Sequence, residues 1–321
     1  MDSKRLAFRT FRTREFTVTI ILLALIIFFG FTTENFLNPS NIRNLLLQVS
    51  TIGIASIGMT MIIITAGIDV SAGSILGVVA VVAGKTALLG YPVWVIFLFV
   101  IVVGALLGTL NGFIIAFIGI SPILVTLGTM SFLRAMVFQL LRGRWIGSYP
   151  PFPDAFRKIG TGVLYGIPIP VWIMFFLVMI FIYYLRYRPS GRYIYAVGNN
   201  IEAARVSGIP VKKVLFSVYI LGGILYGIAG YIVASRTGIV QTNTGAGFEL
   251  SVIAATVLGG TNILGGEGTI MGSILGALLV AVIKNGMILM NLPALTEGLI
   301  VGGIIIGSVF ADILKSGEGK R

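Results

Sequence analysis

Two acidic residues sit inside glycine-rich interruptions of long apolar runs: Asp69 in AGIDVSAGS and Glu267 in LGGEGTIMGS. A carboxylate in such a place has two chemical uses. It can face a solute or ion path, because an ionised group beside hydrocarbon is costly without a cavity or a partner. It can also cap the following helix by accepting its free backbone N–H groups. Both readings stand at this point, and hydroxyl and amide neighbours extend them. Ser71 and Ser74 follow Asp69, while Thr261 and Asn262 precede Glu267, so these six residues are the candidates for a translocation pathway or for the breaks themselves. Other reactive chemistry is missing. The chain has no cysteine and no histidine, which removes thiol nucleophiles, disulfides, imidazole bases and the common zinc ligands. The acids show no paired catalytic spacing, so neither a catalytic residue nor a metal site is expected.

The elements that must position these residues are set by composition. Of 321 residues, 57% are apolar, 11% are charged and a further 42 are glycine; mean hydropathy is +1.02. Soluble domains carry about 25% charged residues, so the polar surface here is too small to clothe a globular core. An all-α polytopic membrane protein is expected. Helices crossing the hydrocarbon layer need roughly 20 apolar residues, and about ten segments qualify: 16–33, 45–65, 75–89, 93–118, 123–141, 168–185, 215–235, 250–260, 270–290 and 295–314. The third and eighth are short and adjoin the two interruptions. The first lacks a small-x-small cleavage site and is read as an uncleaved span. Gly84-Lys85-Thr86 resembles the end of a phosphate loop, but Val79 stands where that pattern needs glycine, so no nucleotide site is expected in this chain.

Charge orients the spans. The net charge is +12, and fourteen of the 23 basic residues fall in three short segments: residues 1–15, 186–214 and 315–321. A nucleic-acid partner is set aside, because these clusters flank apolar runs as the positive-inside rule requires. The expected organisation is a cytoplasmic N-terminal tail (1–15), a transmembrane domain (16–314), a cytoplasmic loop (186–214) and a cytoplasmic C-terminal tail (315–321). Loop 142–167 carries Arg142, Arg144, Arg157 and Lys158 yet falls outside. The pentapeptide GSILG occurs at Gly73–Gly77 and again at Gly272–Gly276. Each copy follows one of the acidic interruptions and enters an apolar run, so an internal repeat is expected, with copies near 45–141 and 215–314 and a parallel orientation on the ten-span count. Small-xxx-small pairs such as Gly104/Gly108 and Gly223/Gly227 are expected to bring helices close. Lys85, Arg134, Lys284 and Glu297 lie in or near spans without an obvious partner.

In the cytoplasmic loop, Asn200 is placed as an N-cap, Glu202 in a first turn, Ala203 and Ala204 favour helix, and Gly208 closes it before Pro210. A helix this short is unstable alone, so something must hold it. EAARVSG (Glu202–Gly208) resembles the EAA-x-x-x-G signature of ABC importer permeases, without the downstream Ile-x-Leu-Pro. Three further stretches are similar to ribose-type permeases of sugar ABC importers: MTMIIITAGIDVSAGS, GRYIYAVGNNIEAARVSGI and GFELSVIAATVLGGTNILGGEGT. NFLNPSNIRNLL fits their first external loop, and the GIDVSAGS and GRYIYA segments speak against the sibling branched-chain amino-acid permeases.

The resemblance implies the membrane-spanning subunit of an ATP-driven importer of a simple sugar (ribose, xylose, galactose or similar) in the bacterial inner membrane. It implies a second copy of the chain, ATP-binding cassette subunits on the cytoplasmic side and an external solute-binding protein. Glu202, Ala203, Ala204 and Gly208 would couple to the ATPase, with ATP and Mg on that partner and no cofactor on this chain. Loops 142–167 and 236–249, with Arg144, Trp145, Tyr149, Arg236 and Gln241, would meet the binding protein. The alternative is an ion-coupled secondary transporter, in which Asp69 and Glu267 are linked to the ion.

Overall fold

The computed structural model describes residues 3–293 and, beyond them, 296, 298–299, 302–303 and 306–307. The chain is an all-α membrane fold: α1 (Ser3–Thr32), α2 (Pro39–Ile64), α3 (Ala72–Leu88), α4 (Val93–Phe113, continued by a π turn over Ile114–Ile118), α5 (Pro122–Leu141), α6 (Asp154–Thr161), α7 (Ile169–Tyr187), α8 (Pro189–Asn199), α9 (Ile201–Val206), α10 (Val211–Thr237), α11 (Phe248–Leu258) and α12 (Ile270–Leu289). A two-residue hairpin, β1 (Val163–Leu164) with β2 (Ile167–Pro168), precedes α7. Among the described residues, seven helices are long and apolar enough to cross a membrane: α1, α2, α4 with its π turn, α5, α7, α10 and α12. The segments expected at 75–89 and 250–260 fall on α3 and α11, of 17 and 11 residues. At about 1.5 Å per residue the second reaches only part way through a bilayer. The segment expected at 295–314, with Glu297, and the tail at 315–321 lie largely outside the described residues.

The centre of the fold is α2. From Ile52 to Ile64 every residue is buried, and α2 is flanked by α10, α12, α7 and α11. Glycine explains the closeness of the central contacts. A Cβ on Gly58 would lie 2.8 Å from the Gly222 Cα, and one on Gly104 would lie 2.5 Å from the Gly223 carbonyl oxygen. The small-residue pairs read on α4 and α10 are therefore one interface, Gly104 and Gly108 against Tyr219 and Gly223. Small residues let helix backbones meet where lipid supplies no hydrophobic drive. At the far end of the bundle, the amides of Asn41 and Asn285 exchange two hydrogen bonds of 2.8 Å, tying α2 to α12. Helix α1 packs on α12 through Val18, Leu22 and Phe29 against Val282, Ile283 and Met287. Its other faces expose Ile20, Leu23, Ile27 and Phe31, as α4 exposes Trp94 and Leu106, which suits contact with hydrocarbon.

Candidate functional site

Helix α2 ends at Ile64 in a tight wind-up. The amides of Thr65, Ala66 and Gly67 bond back to carbonyls of residues 61–63, and Ala66 is held at φ +60°, a conformation that costs a non-glycine residue energy. Asp69 follows, buried. One carboxylate oxygen accepts from the Ser71 amide at 2.9 Å and the Ser71 hydroxyl at 2.5 Å. The Asn111 amide of α4 donates to Ser71 Oγ at 2.8 Å, and Thr129 of α5 donates to Asn111 Oδ1 at 2.7 Å. Ser74 donates to the Ser71 carbonyl. Asp69, Ser71 and Ser74 thus belong to one buried polar chain across α3, α4 and α5, at the foot of α3.

The second break, 259–269, is built differently. Thr261 is fully buried, its Oγ1 3.5 Å from Ser273 Oγ, which in turn is 2.7 Å from Thr60 Oγ1 of α2. The Asn262 side-chain oxygen accepts from the Leu264 amide, and the Asn262 backbone N–H donates to the Glu267 carbonyl at 3.0 Å. Glu267 is exposed. The cap of α12 is Thr269, whose hydroxyl oxygen accepts from the Gly272 amide at 2.9 Å. The structure therefore brings Asp69, Ser71 and Ser74 together, and separately Thr261 with Thr60 and Ser273. The two acids that matched in sequence have opposite environments.

The breaks touch each other, and both touch the hairpin formed by α8 and α9. The Gly266 amide donates to the Ile64 carbonyl at 2.9 Å, and a Cβ on Gly265 would meet Ala66 at 2.9 Å. Gly198, near the end of α8, fits between them. A Cβ there would overlap the Ile64 carbonyl oxygen and lie 2.7 Å from the Gly266 nitrogen. Tyr195 of α8 donates to the Gly268 carbonyl at 3.0 Å. Burial pushes its phenol up to about 12, so it remains a donor at neutral pH.

Helix α9 stands outside this junction. Asn200 caps it by accepting from the amides of Glu202 (3.0 Å) and Ala203 (2.9 Å). Gly208 at φ +79° lets the Ile209 amide return to the Ala204 carbonyl, the left-handed turn that glycine adopts without steric cost. Ala204 is buried, whereas Glu202, Ala203 and Gly208 are exposed, beside a bare Val206. Glu202 pairs with Arg205 at 3.0 Å on the open surface, which stabilises little.

Several participants have no role assigned from sequence, although Arg134 and Lys284 are noticed there as charges in or near spans. Arg134 finds a partner: its guanidinium lies 3.2 Å from Glu249 and donates to the carbonyls of Thr244 (3.2 Å) and Gly245 (2.7 Å). The charge in mid-helix was the available signal. Glu249, at the start of α11, gave none. Helix α8 also went unseen, with Tyr195 and Gly198 on it. Lys284 of α12 donates to Ser251 of α11 at 2.6 Å.

Residues 41–309 match the family described as branched-chain amino acid transport system / permease component. The chain is 36% identical over 300 residues to the ribose import permease protein RbsC of Haemophilus influenzae, covering 93% of this chain and 92% of that protein. It is 35% identical over 297 residues to RbsC of Escherichia coli K12, with 92% of each covered. The autoinducer 2 import system permease protein LsrC of Yersinia enterocolitica is 33% identical over 299 residues, 93% of this chain and 82% of that one. No solved structure matches the chain. The chain therefore belongs to this permease family, similar to its ribose-type ABC import members, and is a membrane transport subunit rather than an enzyme.

Proposed function

We propose that the chain is the permease subunit of an ATP-driven importer carrying a simple sugar such as ribose, xylose or galactose across the bacterial inner membrane. It works as a pair of copies with ATP-binding cassette subunits on its cytoplasmic face and a solute-binding protein outside. The observation that carries this reading is the α8–α9 hairpin. Helix α9 offers an exposed, capped turn to a partner, while α8 is wedged by Gly198 and Tyr195 against both breaks. A push on α9 by a closing ATPase has a packed route to the feet of α3 and α12. Helix α7 is the single crossing between loop 142–167 and this hairpin, and the heavier basic load on the hairpin supports placing it, with both termini, in the cytoplasm.

The same reading takes 295–314 as a tenth span and the two glycine breaks as matched points of an internal duplication. Its support is that Gly73 and Gly77 of α3, like Gly272 and Gly276 of α12, each lie against a backbone carbonyl oxygen. Both helices also leave breaks that meet α8, which supports a parallel repeat. The Ser71 bonds favour capping for Asp69 over the ion-linked role of the secondary-transporter alternative. Reconstitution with the ATPase and binding protein tests the whole: import should need ATP, and vesicles holding this chain alone should take up no solute under a proton or sodium gradient. Gradient-driven uptake by the chain alone would reverse the assignment.

A further inference from the structure

Between α10 and α11 the chain does not stay at the helix ends. Val240 pairs with Ile146 of the loop after α5 through backbone bonds of 3.1 and 3.0 Å. From there Gln241–Gly247 runs as successive turns down the side of α3. A Cβ on Gly77 would lie 2.7 Å from the Thr244 carbonyl oxygen, and Gly245 sits against Gly73. Arg134, which clasps the carbonyls of Thr244 and Gly245, is the thirteenth residue of the twenty in α5. Glu249 completes the clasp, pairing with Arg134 and accepting from the Gly247 amide at 3.2 Å. The segment therefore lies abreast of the middle of a crossing helix.

Its inner side is packed, but Asn243, Ala246 and Gly247 are exposed. Non-helical backbone at membrane depth is tolerated only where protein buries it or where it lines water, because hydrocarbon satisfies no amide or carbonyl. An exposed amide side chain in the same stretch adds to that cost. We propose that Gln241–Gly247 forms one wall of the water-filled solute path, offering the Asn243 amide and free backbone groups to a hydroxylated solute, with Arg134 and Glu249 as positioning residues that hold the wall against α3. This rests on the transporter reading above and moves this stretch from the external docking surface expected of 236–249 into the path itself.

Because the chain has no cysteine, the test is direct. Asn243→Cys, Ala246→Cys and, on the exposed apolar face of α5, Phe132→Cys are made in the full chain assembled with its partners in membrane vesicles. Each is treated with a membrane-impermeant charged methanethiosulfonate. Asn243→Cys and Ala246→Cys should react roughly tenfold or more faster than Phe132→Cys, since the reactive thiolate forms in water and not in hydrocarbon. Adding Glu249→Gln should change the Asn243→Cys rate, which a residue serving only global stability would leave alone. Rates no faster than Phe132→Cys would overturn the inference. So would a spontaneous disulfide between two copies at Ala246→Cys without modification, which would mark a dry contact. Modification depends neither on the identity of the solute nor on its energy source. Fast modification without sugar import would sink the sugar reading alone, and import with slow modification would sink this inference alone.

Discussion

Ser71 Oγ is the hinge of the buried polar chain at the foot of α3, donating to Asp69 and accepting from Asn111. Ser71→Ala should leave the Asn111 amide and half of the Asp69 bonding unmet, a cost of about 1–3 kcal/mol for a buried group left unpaired. Thermal unfolding of the purified chain in detergent would show the loss. The opposite outcome is expected at Tyr226, whose buried hydroxyl has no hydrogen-bond partner among the described residues. Tyr226→Phe removes a polar atom that gains nothing, so stability should hold or rise by about 1 kcal/mol. Equal losses in the two variants would contradict this account. Asp69 reads in sequence as either a cap or a path residue, and spacing alone does not separate the two. Glu267 looked equivalent, yet it is exposed and the α12 cap is Thr269. A carboxylate among glycines announces itself, whereas a threonine at a helix start does not.

Among the elements, α9 was legible because capping grammar is local: Asn200, Glu202 and Gly208 sit where a short helix needs them. Helix α8 was hidden for a related reason. Its buried residues Gly191, Ile194 and Val197 have helical spacing, but they are interleaved with arginine, glycine and asparagine that resemble loop. The segment Gln241–Gly247 reads in sequence as part of an external loop, because polar turns do not state their depth. Gly198→Ala tests the hinge between α8 and the breaks. The new Cβ would overlap the Ile64 carbonyl oxygen, so α8 must shift, and coupled transport should fall at least tenfold, a displacement cost of about 1.4 kcal/mol or more, while ATP hydrolysis by the assembled complex continues. Asn200→Ala should cost about 0.5–2 kcal/mol locally by removing the cap, seen as faster amide exchange across α9. If Gly198→Ala left transport and hydrolysis coupled, the α8 wedge would not be the route.

For the whole molecule the decisive question is which way the bundle faces. Loop 142–167 and the α8–α9 hairpin are separated by α7 alone, a helix of 19 residues, so they lie on opposite sides of any membrane that α7 crosses. Both carry positive charge, and the ordering follows from the difference. The hairpin side holds Arg186, Arg188, Arg192, Arg205, Lys212 and Lys213, against Arg142, Arg144, Arg157 and Lys158 on the other. Each basic residue near the anionic inner leaflet contributes about 1 kcal/mol, so an excess of two basic residues, with the basic residues 1–15 on the same face, favours a cytoplasmic hairpin. Tyr149 and Val206 are almost fully exposed, at 93% and 89%, and make clean reporters. In intact cells an impermeant thiol reagent should modify Tyr149→Cys and spare Val206→Cys until the membrane is opened. The reverse pattern would put α9 outside, beyond reach of any ATPase, and would remove the coupling role along with the orientation. Because one crossing links the two reporters, labelling of both from outside would instead mean that α7 does not span.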